Sequence, residues 1–189
     1  MIIKIKSHKN NNSFEKLLNY MLYDKDRLFD EKGYSFIVSH NLKGNDINEW
    51  VKQFKENENY RKLKRQNSVL ATHEIISFHK DDASNITLEK LEDMARQYVS
   101  IRNGKGMFVA VPHFDKEHYH IHICASGIEY KSGKAMRLSK MDLQKVKKKI
   151  QVYQTERYPE LSKSLVNHGK EKKGYAPSDK EHKYKERIS

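Results

Sequence analysis

Cysteine is almost missing from this sequence: Cys124 is the only one in 189 residues. A lone thiol excludes an internal disulfide framework and makes a reducing, intracellular setting the default. No run of apolar residues approaches the length needed to cross a bilayer as a helix. The N-terminus, Met1-Ile2-Ile3-Lys4-Ile5-Lys6, is too short and too charged for a secretory signal. By elimination the chain reads as soluble and cytoplasmic. Acidic residues are the other shortage, with 25 Asp and Glu against 37 Lys and Arg, a formal net charge of +12. Such a charge raises the local concentration of polyanions and speeds their capture. Nucleic acid is therefore the first class of partner and an anionic membrane the second. On charge alone, a merely soluble basic protein explains the composition equally well.

What is present suffices for one domain with a real core, not comfortably for two. Ile3 and Ile5 alternate with Lys4 and Lys6, as in a strand with one wet face. Phe14, Leu17, Leu18, Met21 and Leu22 follow at helical spacing, with Ser13 as the expected cap, and this helix carries Tyr20 and Tyr23. Tyr34 to Ser39 reads as a short strand, 47–63 as a helix and Val69 to Phe78 as a strong strand. Thr87 and Ser139 open two further helices, the second reaching about Tyr158. Between them, Met107 to Phe114 and Tyr119 to Ser126 form two strands joined by a short polar turn. Strands and helices do not alternate strictly and the best hairpin is antiparallel. The expected fold is α+β, a central antiparallel sheet flanked by helices. Apolar residues become sparse after Lys163, so the domain is expected over 1–160. Residues 161–189 read as a basic, poorly ordered tail or the start of a linker to a longer protein.

The most informative stretch is Pro112-His113-Phe114-Asp115-Lys116-Glu117-His118-Tyr119-His120-Ile121-His122-Ile123. With Asp115 to His118 as the turn, Phe114 pairs with Tyr119 and His113 stands opposite His120. His122, two residues on, returns to the same face. Three imidazoles then converge, with Asp115 near the hairpin end, while Phe108, Ala110, Phe114, Tyr119, Ile121 and Ile123 form an apolar opposite face. Neutral imidazoles suit Zn, Mn, Ni or Cu. Three protein ligands with positions left open are the pattern of a catalytic metal site. The competing reading, exposed histidines on a solvated strand, explains a lone histidine well and this spacing poorly.

The pattern His-x-Asp-x4-His-x-His, here His113, Asp115, His120 and His122, resembles the third motif of plasmid mobilisation relaxases, HUH endonucleases of the MobA type and MOBP-like class. Thr72-His73-Glu74-Ile75-Ile76-Ser77-Phe78-His79 is similar to their second motif, a strand ending in a serine near the DNA backbone. Leu18-Asn19-Tyr20-Met21-Leu22 resembles the first motif, which carries the nucleophilic tyrosine. The resemblance covers about residues 1 to 158. Where the family often has an asparagine, four residues after the last metal histidine, this chain has Ser126.

The resemblance implies a palm-like HUH fold and metal-dependent nicking and rejoining of single-stranded DNA at an origin of transfer, through a 5′-phosphotyrosine. It implies a divalent metal, Mn or Mg before Zn or Ni, and as partners single-stranded origin DNA with accessory and coupling proteins, but no membrane. Tyr20 is the expected nucleophile, with Tyr23 as its rival one turn on. A free tyrosine, with a pKa near 10, attacks poorly at neutral pH, so a Lewis-acidic dication carries more weight than a strong base. Asp115 is expected to orient a metal histidine. Ser77, His73, Lys131 and Arg137 are expected at the DNA, with further cations at Lys62, Lys64, Arg65 and Lys145 to Lys149. Two rivals remain open. His118 to Cys124 also fits the string of histidine-triad nucleotide hydrolases, which use no metal, and a non-catalytic DNA-binding or replication accessory protein would keep the fold without the chemistry.

Overall fold

Strand β5 (His120–Ser126) runs through the middle of a five-stranded sheet, and its neighbours set the position of everything else. The computed structural model describes residues 1–23, 25–114 and 117–166. The sheet order is β1-β3-β5-β4-β2, with β1 Ile2–His8, β2 Val38–His40, β3 Ala71–Ser77 and β4 Phe108–His113. Every neighbouring pair is antiparallel. Among the described residues five α-helices accompany it: α1 Ser13–Leu22, the short α2 Lys25–Leu28, α3 Ile47–Asn57, α4 Leu88–Asn103 and α5 Lys140–Arg157. The expected α+β architecture is the observed one.

Each face of the sheet has its own core. Ile76, Phe108, Ile121 and Ile123 meet Leu91, Met94 and Tyr98 of α4 and Val146 and Ile150 of α5. Val109, Val111 and Cys124 point the other way and meet Phe14, Leu18 and Met21 of α1 and Trp50 and Phe54 of α3. The histidine face is thus only partly a histidine face. Its β4–β5 centre is apolar and roofed by helices, which confines the imidazoles to one end.

Local chemistry explains most element ends. Thr87 and Ser139 cap α4 and α5 as expected, their hydroxyls accepting from the backbone N–H of Lys90 and Asp142. Ser13 is not the cap of α1: Asn12 takes that position and Ser13 is buried as the first helical residue. The strand expected from Tyr34 begins only at Val38, because the Asp30 carboxylate accepts from the backbone N–H of Lys32 and Tyr34 and curls that segment into a turn. Helix α3 ends at Asn57 rather than near residue 63, and a single 3-10 turn, Glu58–Tyr60, follows it.

A buried charged cluster centres on β3. Glu74 of β3 is fully buried and is held by the Arg102 guanidinium at 3.2 Å, the Tyr98 hydroxyl and the Thr72 hydroxyl at 2.8 Å. Arg102 also donates to the Met136 carbonyl at 3.1 Å. Packing runs slightly past the expected domain end at residue 160: Leu161 lies in the core and the backbone N–H of Ser164 donates to Asp82 at 2.6 Å. Residues 167–189 lie outside the described residues.

Candidate active site: a tyrosine over a histidine cavity

The pairing inferred from sequence is the pairing found, with His113 opposite His120 across β4 and β5. On the other side of β5, Ile75 pairs with His122, Ser77 with His120 and His73 with Cys124. Pleating therefore puts His73, Ser77, His113, His120 and His122 on one face. His113 and His122 are almost fully buried, 2% and 6% exposed. Their rings stack with centroids 4.1 Å apart, and His120 lies 6.0 Å from His122.

Helix α1 brings the tyrosine. Phe14, Leu17, Leu18 and Met21 are drawn into the second core, which leaves Tyr20 at the rim of that stripe, half exposed. Its ring centroid stands 5.8 Å from His73, 6.1 Å from His113 and 5.9 Å from His122. Tyr23 is 81% exposed at the helix C-cap and lines none of the cavities described here. A cavity of about 230 Å³ is lined by Tyr20, Ser77, His113, His120, His122, Lys4, Ile2 and Ile75. Lys4 belongs to the site although the sequence marked it only as a wet strand position. The register that pairs it with Ile75, beside His122, is what brings it there.

Hydrogen bonds orient two of the imidazoles. Nε2 of His113 lies 2.9 Å from the Met21 carbonyl. A carbonyl only accepts, so Nε2 carries the proton and Nδ1 keeps its lone pair. Nδ1 of His122 lies 2.9 Å from Nε2 of His73. Burial first, then the neighbouring His8, His113 and Lys6, push the His73 pKa down to about 4, so this ring is neutral at physiological pH. When His122 donates from Nδ1, its Nε2 lone pair is available to a cation. Neutral imidazoles with lone pairs fixed by such partners are the donor set of a divalent transition ion. The fit lies in this donor chemistry and not in a ready-made ligand geometry: among the described residues no three His, Cys, Asp or Glu groups stand placed to hold a metal ion.

Other expected residues are elsewhere. Asp115 lies outside the described residues. Lys131 is not brought to the histidines: it follows the far end of β5 and holds its ammonium 5.0 Å over the Tyr130 ring, in a separate cavity with Tyr60 and Lys52. Arg137 is exposed beside Met136, which packs in the core on the opposite side of the sheet. Ser126 is buried at that far end too, its hydroxyl accepting from the Ile128 N–H, so its place is structural. No helix among the described residues is long and apolar enough to cross a membrane.

Comparison with known proteins agrees with this geometry. A family model described as the MobA/VirD2-like relaxase nuclease domain matches residues 20–157. The group II intron-interrupted relaxase LtrB of Lactococcus lactis subsp. cremoris is 32% identical over 136 residues. That match takes in 61% of this chain and 24% of the relative, so the chain spans about a quarter of that protein's length. Among solved structures, the manganese-bound MobM relaxase domain (MOBV; Mob_Pre), in complex with plasmid pMV158 oriT DNA at pH 5.5, superposes with a TM-score of 0.64 at 18% identity, over 97% of this chain and 98% of that one. A structure described as the molecular basis of vancomycin resistance transfer in Staphylococcus aureus gives 0.58 at 16% identity, over 90% and 98%. The fold is shared with both. With the family model matched over most of its length, from the tyrosine helix to the end of α5, the chain belongs to the MobA/VirD2-like relaxases and is a nuclease domain of that family.

Proposed function

We propose that this domain nicks and rejoins one strand of DNA at an origin of transfer, with Tyr20 as nucleophile. The observation that carries the reading is the Tyr20 ring standing 5.8 to 6.1 Å from His73, His113 and His122, in the wall of the small cavity that His113, His120 and His122 also line. Family membership supports the reaction class, and the basic surface supports a polyanionic substrate.

In this reading Tyr20 Oη attacks the scissile phosphorus and gives up its proton, the bond to the 3′ oxygen breaks, and that oxygen leaves as a hydroxyl after taking up a proton, so that none is gained or lost overall. The phosphate stays on tyrosine, so the bond energy is kept for the reverse step. His113, His120 and His122 hold a divalent cation, Mn or Mg before Zn or Ni, which when bound supplies Lewis-acid polarisation of the phosphate. His73 fixes the tautomer of His122, and Lys4 and Ser77 face the phosphate oxygens. Asp115 is proposed to orient a metal histidine. Accessory and coupling proteins, a cytoplasmic setting and a continuation beyond residue 160 into a longer protein complete the proposal.

The test is a labelled single-stranded origin oligonucleotide incubated with Mn, with Mg and with EDTA, followed by denaturing electrophoresis. A covalent adduct that needs metal and disappears in Tyr20→Phe but not in Tyr23→Phe is the expected result. Nucleotide hydrolysis that survives EDTA, with no adduct on any origin strand, would overturn it.

A further inference from the structure

Among the described residues, the β1 edge and the outer face of α5 are both basic, and of these two the β1 edge is continuous with the histidine cavity. We propose that the single-stranded flank of the DNA leaves the site along the β1 edge and turns round the N-terminal end of α1, and does not cross the lysine-rich outer face of α5. This rests on the nicking reading above and adds the route of the strand.

Three cavities stand in series. The site cavity shares Tyr20 with a second, of about 460 Å³, lined among others by Lys6, His8, Lys16 and His73. Beyond it, past Lys9 and Asn10, a third of about 500 Å³ is lined by Lys9, Asn12, Lys64 and Arg65. β1 explains the alignment. It is an edge strand, and its register sets Lys4 beside Ile75 and Lys6 beside His73, which places both lysines on the histidine face. One row of cations therefore runs away from Tyr20.

Charge balance along the row favours a polyanion. The acidic residues nearby are already matched, Glu58 by Arg61 at 2.7 Å and Glu15 by Lys55 at 3.9 Å. Among the described residues, Lys6, Lys9, Lys16, Lys64 and Arg65 form no ion pair and are exposed. The α5 surface differs in place. Val146 and Ile150 pack that helix on the core of the opposite sheet face, and its Lys145 is paired with Asp142 at 3.5 Å. A strand leaving the histidines would have to pass round a sheet edge to reach Lys147 to Lys149.

The chemistry of the row also says how the strand is gripped. Beyond Tyr20, the phenyl or phenol rings along it come down to Phe14, which is buried in the second core. Stacking on aromatics, the usual source of base affinity in single-strand grooves, is therefore replaced by phosphate contact. Binding of the flank should be tolerant of sequence and steeply sensitive to salt.

The experiment measures binding of the full chain to a short single strand spanning the nick and to strands extended by about ten nucleotides on either side, within the reach of a single-strand groove. Three proteins are compared: wild type, the combined variant Lys6→Gln, Lys9→Gln, Lys64→Gln, Arg65→Gln, and the variant Lys147→Gln, Lys148→Gln, Lys149→Gln. Wild type should gain affinity about tenfold on extension to one side. The β1-edge variant should lose that gain, with a salt slope shallower by about 3 for four phosphate contacts. The α5 variant should behave as wild type. Loss of the gain in the α5 variant but not in the β1-edge variant, or no gain from extension on either side, overturns the route. Failure of wild type to nick the short strand would strike the nicking reading instead, and the binding comparison would still decide the route.

Discussion

His73 illustrates how one residue acquires a task from its neighbours. On sequence it is a strand residue expected at the DNA; in the fold its Nε2 meets Nδ1 of His122 at 2.9 Å. Partners of this kind set the tautomer of a metal ligand, and removing them typically costs about 10- to 100-fold in metal affinity. His73→Ala is therefore expected to weaken manganese binding by that factor in calorimetry, with the thermal midpoint of the metal-free protein changed little. Unchanged affinity would remove His73 from the site. Cys124, the only thiol, makes the opposite point. It lies on the same face but wholly inside the second core, where burial and the nearby Glu74 push its pKa far up. The thiolate is the reactive form, so native protein should resist iodoacetamide and label only once unfolded. Rapid labelling of the native state would mean that the roof of α1 and α3 opens.

At the scale of elements, the buried Glu74–Arg102 pair ties β3 to α4. Removing one member leaves an uncompensated buried charge, which costs about 3–5 kcal/mol. Glu74→Leu should show this as a large drop in urea midpoint, and Arg102→Met on top of it should restore part of the loss. A drop under about 1 kcal/mol in the single variant would mean that water reaches the pair. The carboxylate was invisible in a stretch read as an apolar strand, because nothing local in Thr72 to Phe78 announces a partner 28 residues away. The hairpin was legible for the reverse reason. Its apolar face and its imidazole face impose the same register, so Phe108, Ile121 and Ile123 agree with His113, His120 and His122. Thr87 and Ser139 were legible because a cap is a local event. Lys131 and Arg137 stand away from the histidines because nearness to the hairpin in sequence is not nearness in space: β5 carries the chain away from the histidines before either residue occurs.

For the whole molecule, the two-core arrangement explains why the site forms where it does. Helices α1 and α3 roof the middle of one sheet face and α4 and α5 the other, so the polar end of the first face stays open beside Tyr20. Composition foretold the charge but not its layout, since α5 and the β1 edge are both basic and only the register of β1 joins one of them to the site. A ligand that binds only the folded state stabilises it by mass action, about 2.7 kcal/mol at a hundred times its dissociation constant. Manganese should thus raise the thermal midpoint by several degrees in wild type and not in His120→Ala, whose ring is only half buried. An equal rise in both would place the metal elsewhere.

Tyr20, and no other side chain, is the proposed acceptor of the phosphate. Its most direct test is mass mapping of the adduct formed on an origin strand with manganese, after nuclease trimming and trypsin. Tyr20 and Tyr23 share the peptide from Leu17 to Lys25, so fragment ions must assign the site within it. The phosphonucleotide is expected on Tyr20, and a modification on Tyr23 or on any histidine would contradict this assignment.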